Sequence, residues 1–385
     1  MSMAAGDVFT ASVREIALGG AGLASVDGMK VFIDMTAPGD TVRARVIREH
    51  GNWAIAELAG LLEPSPLRTE PACPLYGICG GCSLQHLAYE SQLEAKTSIL
   101  KNAFIHIGRT GIPLPCAAAS APWEYRNRVR LHRAGEKLSA GFRARKSSEV
   151  IPAPDCPVAE AGIRAALKGG TFPERECFTA YSRNGLFLCE GAVERGRTRL
   201  LDREIILDAG VFFQSNAVML EKLVTDLLET AESAPAGLPA ADIYCGVGTF
   251  ALFLKDRFPR IDLVEENRTA LALARENVQG EGIAFFAMKD EDWVKMKNGA
   301  QRSGPGYGFV VADPPRRGLS PGMRRWLAAK GPPLFAYVSC DPATMARDGG
   351  ELAGEYNLEK LCLYDFYPQT AHIESMGVFR RKRGS

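Results

Sequence analysis

The sequence predicts an α/β protein in which a parallel sheet, covered on both faces, follows a small β-barrel and a β-rich middle section. Three observations carry this. From Ile205 onward, short apolar runs alternate with helical patterns, as in sheets that bury both faces. Residues 7–60 hold only short strand-like segments broken by turn residues. The length of 385 residues calls for two or three domains. The expected divisions are 1–62, 63–204 and 205–385.

Composition narrows the class. Hydrophobic content of 46% and charged content of 24% are globular values. A net charge of +1 argues neither for nor against a nucleic-acid partner, so local charge must decide. The longest apolar runs, such as Ile205–Leu207 and Phe309–Ala312, are far too short to cross a bilayer. No basic segment followed by an apolar core opens the chain, so a cytoplasmic protein without membrane contact is expected. Its ten cysteines are then expected to serve metal binding or catalysis rather than disulfides.

In the first section, Val8–Val13, Lys30–Asp34, Thr41–Ile47 and Trp53–Ala59 read as strands. Gly19-Gly20, Asp27-Gly28, Pro38-Gly39-Asp40 and His50-Gly51-Asn52 separate them, a spacing that suits a small barrel. Five basic residues face seven acidic ones there, so charge does not mark this barrel as an RNA site. Pro64 and Pro66 mark the exit, and a Cys/Gly-rich loop follows at 73–82. Glu90–Phe104 has helical spacing through Leu93, Ile99, Leu100 and Phe104, and this helix is a candidate to pack on the C-terminal domain.

Residues 116–205 are β-rich. Tyr125–His132 alternates with period two, which puts Arg126, Arg128 and Arg130 on one strand face and Val129 and Leu131 on the other. With Arg143, Arg145 and Lys146 close behind, this is the best candidate phosphate-binding surface. A solvated strand face is the plainer alternative.

The C-terminal section carries four informative strand tips. Asp242–Ala251 reads as strand, glycine turn and helix start, and Gly246 and Gly248 let a ligand approach the backbone. Gly246, Gly248 and Ala251 also fit the dinucleotide pattern G-x-G-x-x-A, so a nicotinamide enzyme stays open here. Glu265 follows the next apolar segment, where a carboxylate can hold a ribose diol. Phe309–Ala312 ends in Asp313-Pro314-Pro315, whose prolines hold the tip rigid and fix Asp313 at the carboxyl edge. Cys340 lies between an apolar strand and Asp341-Pro342, an N-cap followed by proline at the first helical position. Unpaired N–H groups and the helix dipole there are expected to favour a reactive thiolate. A buried structural cysteine is the alternative.

Several of these segments together resemble the RNA 5-methyluridine methyltransferases. They are Phe212-Phe213-Gln214-Ser215-Asn216, Asp242–Phe250, Asp313-Pro314-Pro315-Arg316, Ser339-Cys340-Asp341-Pro342 and Pro368-Gln369-Thr370-Ala371-His372-Ile373-Glu374. The resemblance spans nearly the whole chain and favours the 23S rRNA branch, with transfer RNA open as the alternative. It implies a Rossmann-like methyltransferase domain, an N-terminal RNA-binding TRAM barrel and a central iron–sulfur domain. It also implies S-adenosyl-L-methionine as cofactor, with Gln214, Tyr244, Glu265 and Asp313 beside it.

Carbon 5 of uracil is a poor nucleophile, and a thiolate added to carbon 6 gives carbon 5 carbanion character. By resemblance Cys340 is that nucleophile and Glu374 the base that removes the carbon 5 hydrogen, with His372 a structural neighbour. A loop uridine is the expected target, because the base must be unstacked to reach Cys340. Cys73, Cys79 and Cys82 put three thiols on one loop, and the resemblance supplies Cys156 as the fourth ligand of a 4Fe–4S cluster. Four thiolates also suit zinc. Cys116, Cys177, Cys189, Cys245 and Cys362 read as apolar fillers. Two other classes compete: an iron–sulfur nicotinamide oxidoreductase and a non-catalytic RNA-binding protein. No obligate protein partner is evident.

Overall fold

The computed structural model describes residues 3–134, 139–169, 172–299 and 306–382. Strands β1 (Val8–Ile16), β2 (Gly22–Val26), β3 (Met29–Ile33), β4 (Thr41–Glu49) and β5 (Trp53–Glu63) close into a barrel in the order β1-β2-β3-β5-β4. Alternate residues such as Val31, Ile33, Val42 and Ala44 are fully buried and fill it. β2 lies outside the segments marked in the sequence because Gly-Leu-Ala-Ser-Val carries little apolar signal.

The cysteine loop leads into helix α1 (Tyr89–Ala103), which ends in one π turn at Phe104–Gly108, and then into the short strand β6 (Cys116–Ala118). The buried face of α1 is unusual. Gln92 and Lys96 share it with Leu100 and Ala103. The Lys96 ammonium is 2.7 Å from Asp365, and both side chains are buried. A charge there persists only because it is paired, and removing one partner of such a pair typically costs about 3–5 kcal/mol.

The middle section pairs β7 (Arg128–Ala134), β8 (Ser139–Arg143) and β9 (Val150–Pro152) with β10 (Cys177–Arg183) and β11 (Leu186–Cys189). The sheet order is β11-β10-β7-β8-β9, and α2 (Ala161–Gly169) packs against it. A hairpin of β12 (Arg195–Leu200) and β13 (Arg203–Asp208) follows. Arg145 and Lys146 both pair with Asp34 of the barrel, Arg145 at 3.1 Å. Two of the six basic residues expected to meet phosphate are therefore engaged in fastening the barrel to the middle section.

Helix α3 (Ala217–Glu232) precedes five parallel strands and their helices: β14 (Ala240–Ile243), α4 (Thr249–Leu254), β15 (Ile261–Val264), α5 (Arg268–Asn277), β16 (Ile283–Phe286), α6 (Asp290–Gly299), β17 (Phe309–Ala312), α7 (Pro321–Lys330) and β18 (Leu334–Ser339). Helix α8 (Pro342–Leu352), β19 (Tyr356–Tyr364) and β20 (Glu374–Arg381) complete the unit. The sheet order is β16-β15-β14-β17-β18-β20-β19-β6, with β20 antiparallel to both of its neighbours. Every residue of β14, β15, β17 and β18 is buried, as expected of strands covered on both faces.

The edge strand β6 corrects one expectation. It aligns Cys116 with Cys362 of β19, and the two are joined as a disulfide. Reading both as separate apolar fillers fails because the pairing depends on a register between strands 246 residues apart. Among the described residues no helix is long and apolar enough to cross a membrane.

Candidate active site

The chain reverses direction across the sheet at β14, which pairs with β15 on one side and β17 on the other. Crevices form at the carboxyl ends of strands at such a point. Here a cleft of about 580 Å³ opens beside the tips of β14, β15, β17 and β18.

The glycine loop forms one wall. Gly246 has φ +55°, and a Cβ there would meet nothing within 4 Å, so its bare face is open space. Gly248 differs: φ is +84° and a Cβ would press within 2.8 Å of Val278. The first glycine leaves the backbone bare to a ligand and the second lets α4 approach α5. The Glu265 carboxylate accepts from Gly246 N at 3.0 Å and from Asn267 N at 2.7 Å, which fixes it at the β15 tip. Gln214 lines the same cleft, and its buried Oε1 has no hydrogen-bond partner. A buried orphan acceptor facing a cleft is costly unless a ligand satisfies it.

The opposite wall carries the reactive groups. Ser339 of β18 pairs with Ser375 of β20, which brings Cys340 and Glu374 together at adjoining strand ends. Asp313 stands at the β17 tip, its N–H donating to Ile243 O at 3.3 Å. Glu374 is 3% exposed and its Oε1 lacks a partner. Burial first, and then the Asp313 charge, raise its pKa well above the usual carboxylate range. Burial likewise pushes Asp313 up to about 7.

Burial, together with these carboxyls, runs against the expectation of a ready thiolate. Burial pushes the Cys340 thiol up to about 11, the Glu374 and Asp313 charges add to this, and Arg316 opposes it. The helix start does not compensate, because the Asp341 cap already takes the N–H groups of Ala343 and Thr344 at 3.0 and 2.9 Å. Relieving one charge should therefore restore reactivity. In Asp313→Asn the pH at which iodoacetamide alkylates Cys340, followed on the Cys340 peptide by mass spectrometry, is expected to fall. A profile that stays in place or moves up would reject the Asp313 contribution.

The structure brings two of the expected phosphate contacts, Arg126 and Arg128, to this cleft, and adds roles for Asp290 and Asp242 that sequence reading missed. Arg126 and Arg128 reach into the cleft, stacked over Tyr367 at 5.8 Å and over the exposed Phe212 at 5.5 Å. Asp290, after the third parallel strand, is buried, accepts from Ser320 N at 3.3 Å and hydrogen-bonds to Tyr244. Asp242 is wholly buried under the glycine loop, accepts from Ala251 N at 3.0 Å and is pushed up to about 8, mainly by burial. Burial and the nearby Arg316 hold His372 down to about 4, so its ring is neutral.

A second, smaller cavity of about 140 Å³ adjoins Arg126. Cys73, Cys79, Cys82 and Cys156 all line it. Burial pushes Cys82 to about 11 and Cys156 to about 12, and each is raised further by neighbouring cysteines. Among the described residues no group of three or more His, Cys, Asp or Glu side chains is gathered closely enough to hold a metal ion. The four thiols line one space, a donor set that suits either an iron–sulfur cluster or zinc. Gly80 N donates to Arg143 O at 2.9 Å and Gly81 N to Cys79 Sγ at 3.4 Å, which shape the loop around that space. Arg130 lines this cavity too, whereas Arg143 is exposed.

The family model for tRNA (Uracil-5-)-methyltransferase matches residues 198–383. A Treponema denticola protein described as an uncharacterized RNA methyltransferase is 32% identical, over 96% of this chain and 98% of its own. The Alkalilimnicola ehrlichii protein named 23S rRNA (uracil(1939)-C(5))-methyltransferase RlmD is 30% identical over 97% of each chain. The solved structure of Pyrococcus abyssi tRNA (uracil-54, C5)-methyltransferase, in complex with S-adenosyl-L-homocysteine, superimposes with a TM-score of 0.74 at 23% identity. That match covers 96% of this chain and all of the other, and it supports the fold.

Proposed function

The chain belongs to the family of RNA uracil-C5 methyltransferases, S-adenosylmethionine-dependent enzymes, and from that premise we propose that it methylates carbon 5 of a uridine in 23S ribosomal RNA. The observation that carries this reading is the meeting of Cys340, Asp313 and Glu374 in one cleft beside the glycine loop. A nicotinamide oxidoreductase has no use for that trio, and a non-catalytic RNA binder has no use for the cleft. Ribosomal RNA is favoured because relatives matching along their whole length carry that name. Transfer RNA is the second reading, favoured by the family model and the solved structure.

Bound S-adenosylmethionine supplies an electrophilic methyl group on a sulfonium. Glu265 is placed to hold a ribose diol, as acidic residues at second strand tips do. Tyr244 with Asp290 forms the wall beyond it, and the orphan carbonyl of Gln214 is free to accept from the cofactor. Asp313 faces both the cofactor loop and the uracil.

Cys340 then attacks carbon 6, forming the S–C6 bond and moving the ring π electrons toward carbon 5 and oxygen 4. Carbon 5 takes the methyl group as the bond from that methyl to the sulfonium sulfur breaks, and S-adenosylhomocysteine is the leaving group. Glu374 removes the carbon 5 hydrogen, and the returning electrons break the S–C6 bond and release Cys340. The thiol proton lost before addition is regained on release, so the net proton leaves through Glu374. Cys340 and Glu374 must both be deprotonated to act, and burial raises the pKa of each, so turnover is expected to rise with pH.

The domains expected at 1–62, 63–204 and 205–385 take separate tasks in this reading: RNA docking, cluster binding and methyl transfer, all in the cytoplasm. The rim formed by Arg126, Arg128 and Phe212 suits a flipped nucleotide better than a flat phosphate track, since its cations and ring stack as well as pair. For the cysteine cavity we favour a 4Fe–4S cluster held by Cys73, Cys79, Cys82 and Cys156. Anaerobically purified protein should then contain about four iron and four sulfide per chain, lost in Cys156→Ser. One zinc without sulfide would identify the alternative metal instead. Radiolabelled methyl transfer to unmodified total RNA, with the labelled nucleotide mapped, tests the function itself. Label in 5-methyluridine of 23S RNA is expected, and label confined to transfer RNA would overturn the choice of target.

A further inference from the structure

The loop that delivers Glu374 is held from the other end of the chain. Gln369, in that loop, has φ +67°, a left-handed conformation that a non-glycine residue keeps only when its surroundings fix it. Those surroundings lie just beyond the cysteine loop. Ser83 N and Leu84 N both donate to Gln369 O at 3.0 Å. Gln92 accepts from Gln369 N at 2.9 Å and donates to its side-chain carbonyl at 3.0 Å. Ala371 N donates to Ser83 Oγ at 3.0 Å.

Gln92 and Gln369 are both buried, so these are not incidental surface contacts. Lys96 and Tyr125 donate to the carbonyls of Tyr367 and Pro368. Ser83 directly follows Cys82, a lining residue of the cysteine cavity. The barrel closes the last side, where a Cβ on Gly20 would meet Ala371 Cβ at 2.7 Å.

We propose that Ser83 and Gln92 are positioning residues for the base loop, so that correct seating of the cysteine loop sets where Glu374 stands over carbon 5. The proposal rests on the reading of Glu374 as the base. It gives the cysteine loop a part in the reaction without any electron transfer: the loop is a fixed wall against which the base segment is built. The step affected is removal of the carbon 5 hydrogen, because Cys340 is held by β18 and α8 and does not touch the clamp.

The test uses the full-length enzyme with its metal content measured. Ser83→Ala and Gln92→Met are compared with Ser83→Thr and Glu374→Gln for methylation rate, covalent RNA adduct on denaturing gels, cofactor affinity and melting temperature. A base displaced by a fraction of an ångström to one ångström should slow turnover by about 10- to 100-fold. Adduct is expected to accumulate in Ser83→Ala and Gln92→Met with cofactor affinity unchanged, and Ser83→Thr, which keeps the hydroxyl, should turn over without adduct. Slower turnover without adduct, unchanged turnover, or loss of cofactor affinity in step with activity would overturn the proposal. If Glu374→Gln itself gives no adduct, the base assignment fails first. If it does and the clamp variants do not, only the positioning role fails.

Discussion

Replacing Cys340 by alanine is expected to reduce methyl transfer by roughly 10⁴-fold or more while cofactor affinity is kept. The size follows from what the thiol does. Without addition at carbon 6, carbon 5 has no carbanion character, and the other thiol lining the cleft, Cys245, is buried in the glycine loop on the cofactor wall. Cofactor binding should survive because Glu265, Gln214 and the glycine loop lie on the other wall and make no hydrogen bond to Cys340. Isothermal titration with S-adenosylhomocysteine, beside single-turnover methylation, measures both quantities. Normal turnover by Cys340→Ala would sink the covalent mechanism outright.

Glu374→Gln should behave differently. Addition and methyl transfer need only Cys340 and the donor, so this variant is expected to stall afterwards, with the methylated uridine still bonded to Cys340. Loss of a positioned base typically slows proton transfer by about 10²- to 10⁴-fold. A slow-migrating protein–RNA species on a denaturing gel, carrying label from the methyl donor, is the expected sign. Because the Glu374 charge also raises the Cys340 thiol, its removal should make addition easier, so the adduct should form readily. A variant that alkylates faster at Cys340 yet shows no adduct would remove Glu374 from the role of base.

Much of this site could be read in the sequence because its parts are local. The Asp341 cap, the proline ledge after Asp313 and the glycine turn are each written within a few residues, and each stands where its motif puts it. What the sequence did not disclose depends on facing partners. Cys340 has a helix start beside it, as its neighbours announce, but burial, with the charges of Glu374 and Asp313 on the same wall, raises its thiol. Asp290 carries no motif of its own, and only its place under Tyr244 marks it. The disulfide between Cys116 and Cys362 and the ion pairs of Asp34 turn on strand register and barrel docking. The polar stripe of α1 resembles a solvated face until Asp365 and Gln369 are seen opposite it.

The sheet order has a consequence for how the enzyme comes to life. β20 does not add to the outside of a finished sheet but enters between β18 and β19. The β–α units from β14 to β18 can assemble from near neighbours, whereas the clamp on Gln369 joins residues 277 apart. Contacts of that span form late, since the loop they close is long. The site is complete only when both ends of the chain have come together, since Ser83 and Gln92 hold the base loop from the far end of the sequence.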